Sequence, residues 1–206
     1  MSAAVLLLMS VRPVDAKDFT VVAFGTSLTA RGGWPAALED ALGRCLKQPV
    51  SVVVVAQPGA TSDWAVGAAD RVFAARPDVV LVEMSANDAA FHRLVSMATS
   101  RRNMSAIFKR LAALEPRPRV FNMAMNPVSG VRGLDRFFLD RYVNLHRKLA
   151  LQSGGAFIDH GPAWASLPPS QLQAAIPDGL HPTPQISAEV MVPGLVKAIA
   201  GRACAT

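Results

Sequence analysis

Ser27 stands in Gly25-Thr26-Ser27-Leu28, directly after an apolar run at 19–24, and Asp178-Gly179-Leu180-His181 sets a carboxylate three residues from an imidazole late in the chain. A serine hydroxyl attacks a carbonyl only when a base takes its proton. The base in turn needs a carboxylate that fixes its tautomer and stabilises its cation. Ser27, His181 and Asp178 are the parts of such a relay. Acyl transfer also needs donors for the oxyanion of the transition state. Asn87 in Ser85-Ala86-Asn87-Asp88 supplies a side-chain amide, the turn Pro58-Gly59-Ala60-Thr61-Ser62 a backbone N–H, and Ser27 its own N–H. Each residue has an ordinary alternative. Ser27 suits an N-cap or turn, Asp178 a turn beside Gly179, His181 the surface, and Asn87 and Gly59 plain turns.

Position decides between these readings. Apolar, β-rich runs at 19–24, 50–56, 78–84, 119–125 and 156–158 alternate with helical patterns at 33–46, 62–75, 100–114, 135–153 and 184–199. The run at 52–55 is continuously apolar, which predicts a central strand covered on both faces. Pro77 and Pro116 stop the helices before the third and fourth strands. Five strand–helix units predict one α/β domain, three layers deep, around a five-stranded parallel sheet. Ligands bind such sheets beyond the carboxyl ends of the strands. Ser27, Gly59 and Asn87 follow strands one, two and three, and the 178–181 loop comes late enough to fold over the same edge.

At 206 residues, 51% hydrophobic and 17% charged, the chain fits one domain with a sizeable core. We expect it at 17–206. The apolar stretch at 3–9 followed by Val14-Asp15-Ala16 has pieces of a secretory signal, although no basic residue precedes it. Residues 1–16 read as a signal peptide, giving a secreted or periplasmic protein whose chain starts near Lys17. A disordered leader and a cytoplasmic protein remain the alternative. Two cysteines, Cys45 and Cys204, close the first and last long helices. In a flavodoxin-like strand order these share a face, so a disulfide and two unpaired thiols both stay open.

The apolar runs are too short to span a bilayer, so no stable membrane insertion is expected. Residues 101–148 carry eleven basic side chains against Glu115, Asp135 and Asp140. That excess suits an acidic polymer or simply two solvated helix faces. Few aromatics interleave with it and no nucleic-acid module is present, so no nucleic-acid partner is expected. A nucleotide-binding reading lacks a phosphate loop. Among the other histidines, His92 is the reserve base, and His146, within a basic helix, reads as solvated or structural.

Taken in order, the four blocks resemble the SGNH (GDSL-type) hydrolase superfamily over about residues 19 to 200. Gly25-Thr26-Ser27-Leu28 is similar to its first block, Gly59 to the glycine of the second, Ser85-Ala86-Asn87-Asp88 to the third and Asp178-Gly179-Leu180-His181 to the last. The resemblance implies a flavodoxin-like SGNH fold, Ser27 as nucleophile, His181 as base and Asp178 as its partner. It implies an oxyanion hole from Ser27, Gly59 and Asn87, with no metal or organic cofactor. Thr26 stands where the family usually has Asp, and Ser85 where the third block opens with Gly. Neither is a triad position, and both put subfamily and substrate in question.

The expected activity is carboxylic ester hydrolysis through an acyl-enzyme. Short-chain or O-acetyl esters of a saccharide or cell-surface polymer are favoured, with a small-molecule or saccharide ester as the substrate partner. Lysophospholipase or thioesterase action on longer chains is the alternative, as is a non-catalytic carbohydrate-binding protein of the same fold.

Overall fold

The computed structural model describes residues 18–204. The leader expected at 1–16 and the chain start near Lys17 lie outside the described residues. Five strands, β1 (Phe19–Gly25), β2 (Val50–Ala56), β3 (Val79–Val82), β4 (Arg119–Ala124) and β5 (Ala156–Asp159), form one parallel sheet in the order β2-β1-β3-β4-β5. Phe24 of β1 lies opposite Val55 of β2 and Val82 of β3, so these three strands end level with one another.

Side chains on a strand alternate between faces, and the core divides accordingly. Val21, Ala23, Val79 and Leu81 face the helices Trp34–Leu46 and Pro184–Ala200. Val22, Phe24, Val80 and Val82 face Ser62–Ala74, Met97–Ala112 and Leu139–Gln152. Trp34, Leu38 and Leu42 recur every four residues on the first of these helices and are wholly buried. The result is the three-layer α/β/α domain that the sequence predicts.

The placement of the 52–55 run is corrected: β2 is an edge strand. An apolar run reports cover on both faces, not a neighbour on both sides. Val52 packs against one core layer and Val53 against the other, while Val54 is exposed. The outward Val52 N–H, which has no strand to bond, donates to Glu39 Oε2 at 2.7 Å. A helix side chain thus blunts the free edge.

Two helix boundaries also differ. The third long helix starts at Met97 rather than 100, because Ser96 caps it by accepting the Thr99 N–H at 3.1 Å. The helix expected from 135 starts at Leu139, after a separate turn of helix at Gly130–Leu134 that Asp135 closes.

Cys45 and Cys204 are joined in a disulfide, with Cα atoms 5.6 Å apart. It fastens the end of the chain to the helix Trp34–Leu46. Among the described residues no helix is long and apolar enough to cross a membrane.

Candidate active site

The turn bearing Ser27 is built on a buried carboxylate. β1 ends at Gly25, and Thr26 then caps a helical turn at Ser27–Ala30, its Oγ1 accepting the Leu28 N–H at 3.2 Å. Beneath it Glu83, wholly buried at the end of β3, accepts the Thr26 N–H at 2.5 Å, the Thr26 hydroxyl at 3.1 Å and the Thr29 hydroxyl at 2.8 Å. Desolvation pushes Glu83 up to about 7 despite these hydrogen bonds. Gly25 has to be glycine here. Any Cβ would overlap Glu83 Oε1 and the Thr29 side chain.

The opposite wall is the 178–181 loop. Ser27 Oγ lies 2.8 Å from His181 Nε2, and His181 Nδ1 lies 2.7 Å from Asp178 Oδ2. With the proton on Nδ1 donated to the carboxylate, Nε2 is the acceptor that faces the serine hydroxyl. Asp178 Oδ1 accepts the backbone N–H groups of Leu180 at 2.9 Å and His181 at 2.7 Å. Partial burial opposes ionisation, but the hydrogen bonds from His181 and Leu180 prevail and hold Asp178 at about 2. Asn126, just past β4, secures the loop by donating from Nδ2 to the Leu180 carbonyl at 2.8 Å.

The third wall holds the candidate donors. Ser27 opens a helical turn, so its N–H lacks an intrahelical acceptor. Gly59 turns in the left-handed region at φ 77°, which favours glycine. Asn87, buried in the turn Ser85–Asp88, donates one Nδ2 hydrogen to the Ala60 carbonyl at 2.8 Å, leaving the second for a ligand. Asp88 ties the same two loops together. Its Oδ1 accepts the Ser62 N–H at 2.7 Å, and its Oδ2 accepts the Ser100 hydroxyl at 2.6 Å. Ser100 Oγ is 2.7 Å from His146 Nε2. Burial opposes the ionisation of Asp88, yet His146, Ser100 and Ser62 together lower its pKa.

Ser27, Gly59, Asn87, Asp178 and His181 thus belong to four loops over one sheet edge. His92 is elsewhere. It is exposed, with Nδ1 2.8 Å from Asp135 Oδ2 and no contact to Ser27, so it is set aside as a base. His146 is fully buried, which removes the solvated reading and leaves the structural one. Ser85 lines a cavity of about 490 Å³ shared with Met125, Asn126 and Phe157.

Glu83, Arg136 and the Ser100–His146 pair were not found from sequence. Glu83 had a signal, as the single charge ending the apolar run Val79-Val80-Leu81-Val82. Arg136 had none. It lies in a basic stretch read as surface, yet it is buried and donates from Nε to the Ala86 carbonyl at 2.8 Å, bracing the Asn87 turn.

Residues 23–188 match the GDSL-like lipase/acylhydrolase family. The chain belongs to that family. It is accordingly a carboxylic ester hydrolase, and its Ser, Gly, Asn and His blocks all lie within the matched span. No curated protein matches the sequence. Among solved structures the fold is similar to a W215I variant of the acetyl xylan esterase Axe2 from Geobacillus stearothermophilus, at 16% identity and TM-score 0.74, covering 91% of this chain and 97% of that one. It is similar also to a lipase/acylhydrolase from Enterococcus faecalis, at 22% identity and TM-score 0.73, covering 91% and 98%. A third is LAE5, an alpha/beta hydrolase enzyme from the Lake Arreo metagenome, at 20% identity and TM-score 0.73, covering 88% and 94%. At these identities the likeness is one of fold.

Proposed function

We propose that this GDSL-family hydrolase is a serine esterase that works by two-step acyl transfer. The observation that carries the reading is the unbroken contact chain from Ser27 Oγ through His181 to Asp178, made by residues 154 positions apart in sequence. Ser27 attacks the ester carbonyl while His181 Nε2 takes its proton, and Asp178, ionised at any neutral pH, stabilises the imidazolium. The tetrahedral oxyanion is met by the Ser27 and Gly59 N–H groups and the free Nδ2 hydrogen of Asn87. His181 then protonates the leaving alcohol, and water repeats the sequence on the acyl-enzyme. These residues need no metal or organic cofactor for the cycle.

For substrate we favour short-chain or O-acetyl esters of a saccharide or cell-surface polymer. The acetyl xylan esterase of similar fold is consistent with this. A lysophospholipase or thioesterase reading is favoured by one observation, a set of exposed apolar side chains at 91–94 and 131–138 beside the site loops. Export is supported by the Cys45–Cys204 disulfide, a bond that persists in oxidising compartments.

The test is a p-nitrophenyl ester ladder, from acetate to palmitate, with wild type and Ser27→Ala side by side. Hydrolysis of acetate that collapses in the variant supports the acetylesterase reading. A long-chain optimum moves the substrate to the second reading. Undiminished hydrolysis by folded Ser27→Ala refutes the mechanism.

A further inference from the structure

Phe91, Leu94, Val131, Leu134 and Phe137 are each between 62% and 88% exposed. Such side chains scattered singly need no explanation, but a contiguous group does. Phe91 and Leu94 line one hollow with Phe138, and Leu134 and Phe137 line one groove. Val131, Leu134 and Phe137 recur every third residue, and so do Phe91 and Leu94, which puts each set on one side of its turn. The sets meet at Phe138, whose ring lies 6.3 Å from Phe91 and 5.2 Å from Phe137. The segments are also hydrogen-bonded together, Phe91 N–H to the Asp135 carbonyl at 2.8 Å and His92 Nδ1 to Asp135 Oδ2 at 2.8 Å. A groove of about 540 Å³ runs beside Leu134 and Phe137, between Pro127, Val128 and Leu139.

Three attachments fix this face at the rim of the candidate site. The Arg93 guanidinium lies over Gly59, where a Cβ would come within 2.7 Å of it. Arg136 braces the Asn87 turn through Ala86. The Ser129 N–H donates to the Gly179 carbonyl at 2.9 Å, inside the Asp178–His181 loop.

The exposed charges around the face are mostly basic. Arg93, Arg132 and Arg141 are exposed on it, Arg141 stacked 4.7 Å from the Phe138 ring centroid. Against them stand Asp140 and Asp135, and Asp135 is already engaged by His92 and Arg136. Exposed apolar side chains amid arginines match a surface that is apolar within and anionic at its boundary. A soluble polysaccharide would use the arginines and the aromatic rings but would leave Leu94, Val131 and Leu134 in water.

We propose that the face formed by residues 91–94 and 131–138 docks the protein onto anionic lipid surfaces and turns the Ser27 cleft towards esters held there. Phe91, Leu94, Leu134 and Phe137 enter the headgroup–acyl boundary, while Arg93, Arg132 and Arg141 meet lipid phosphates. This contact is peripheral and spans nothing. It deepens the substrate question of the proposed esterase but does not depend on its chemistry.

The experiment is sedimentation of the full chain with phosphatidylcholine vesicles, with and without phosphatidylglycerol. Wild type is expected to pellet with the phosphatidylglycerol vesicles and to be released as salt is raised. The double variant Leu134→Ser/Phe137→Ser, folded by circular dichroism, should lose about tenfold or more in partitioning. Ser27→Ala should partition as wild type does, so docking and catalysis fail separately. Equal partitioning of wild type and the double variant overturns the proposal. So does indifference to phosphatidylglycerol and salt. So does absent vesicle binding with a dimer that the double substitution dissolves, which would give the face to a second copy of this chain. Retention on an acidic polysaccharide without vesicle binding overturns it as well.

Discussion

Glu83 holds the residue preceding the candidate nucleophile by two hydrogen bonds, taking both the N–H and the hydroxyl of Thr26. A buried carboxylate held at about 7 makes the foundation of the nucleophile turn sensitive to pH. The ordinary carboxyl value of 4.5 applies in the unfolded chain, so between roughly pH 4.5 and 7 the folded protein binds the extra proton. Stability therefore falls as pH rises through that window, by about 3 kcal/mol in all. Denaturant titrations at about pH 5 and pH 8 should show this loss in wild type. Glu83→Gln, which cannot ionise, should lack most of it. A pH dependence that is the same in both proteins would remove Glu83 as its source.

Asp178 lies at the other extreme. Held at about 2, it is ionised throughout the working range, so its titration should add no limb to the pH–rate profile above about pH 3. Its contribution to stability is present above the ordinary carboxylate value and is lost only as pH falls through about 2. Asp178→Asn should lower kcat by about 10²- to 10⁴-fold at every pH, by freeing the imidazole to take the wrong tautomer. Stopped assays across pH would show a uniformly depressed profile. Recovery of wild-type rates at high pH would contradict that account.

On the proposed mechanism, Asn87→Ala removes a donor to the oxyanion and not to the ground-state ester. The expected loss is about 10²- to 10³-fold in kcat with KM little moved. A loss confined to KM would assign Asn87 to substrate binding. The buried amide also bonds the Ala60 carbonyl, so thermal melts should accompany the kinetics.

Breaking the Cys45–Cys204 bond should destabilise the protein without touching the site. Cys204→Ser is expected to cost about 2–5 kcal/mol, read as a shift in denaturant midpoint. Reduction of wild type should reproduce it. Equal midpoints for oxidised and reduced wild type would show that the bond contributes nothing.

The parts of the site that could be read from sequence are those that a short spacing or the sheet topology itself positions. Asp178 and His181 sit three residues apart, and Ser27, Gly59 and Asn87 each follow a strand, so their meeting depends only on the topology of a parallel sheet. The fold was legible for the same reason, since β3 is apolar on both faces and reads as buried in any context. What escaped depends on side-chain packing that no strand end or short spacing announces. Arg136 looks like its solvated basic neighbours until Ala86 is found against it. His146 needs Ser100, and Ser100 needs Asp88. The edge position of β2 is likewise invisible, because helices cover an edge strand much as they cover a central one.

Gly25 and Ser85, each in one of the sequence blocks, stand under opposite constraints. At Gly25 the space for even one methyl is occupied by two groups that are themselves buried and engaged. Ser85 lines an open cavity and already carries a side chain where the family usually has none. Evolution, or a mutant library, therefore has one door locked and one ajar. Variants at 25 should misfold, whereas substitutions at 85 meet open space and should leave the Ser27 turn where it is.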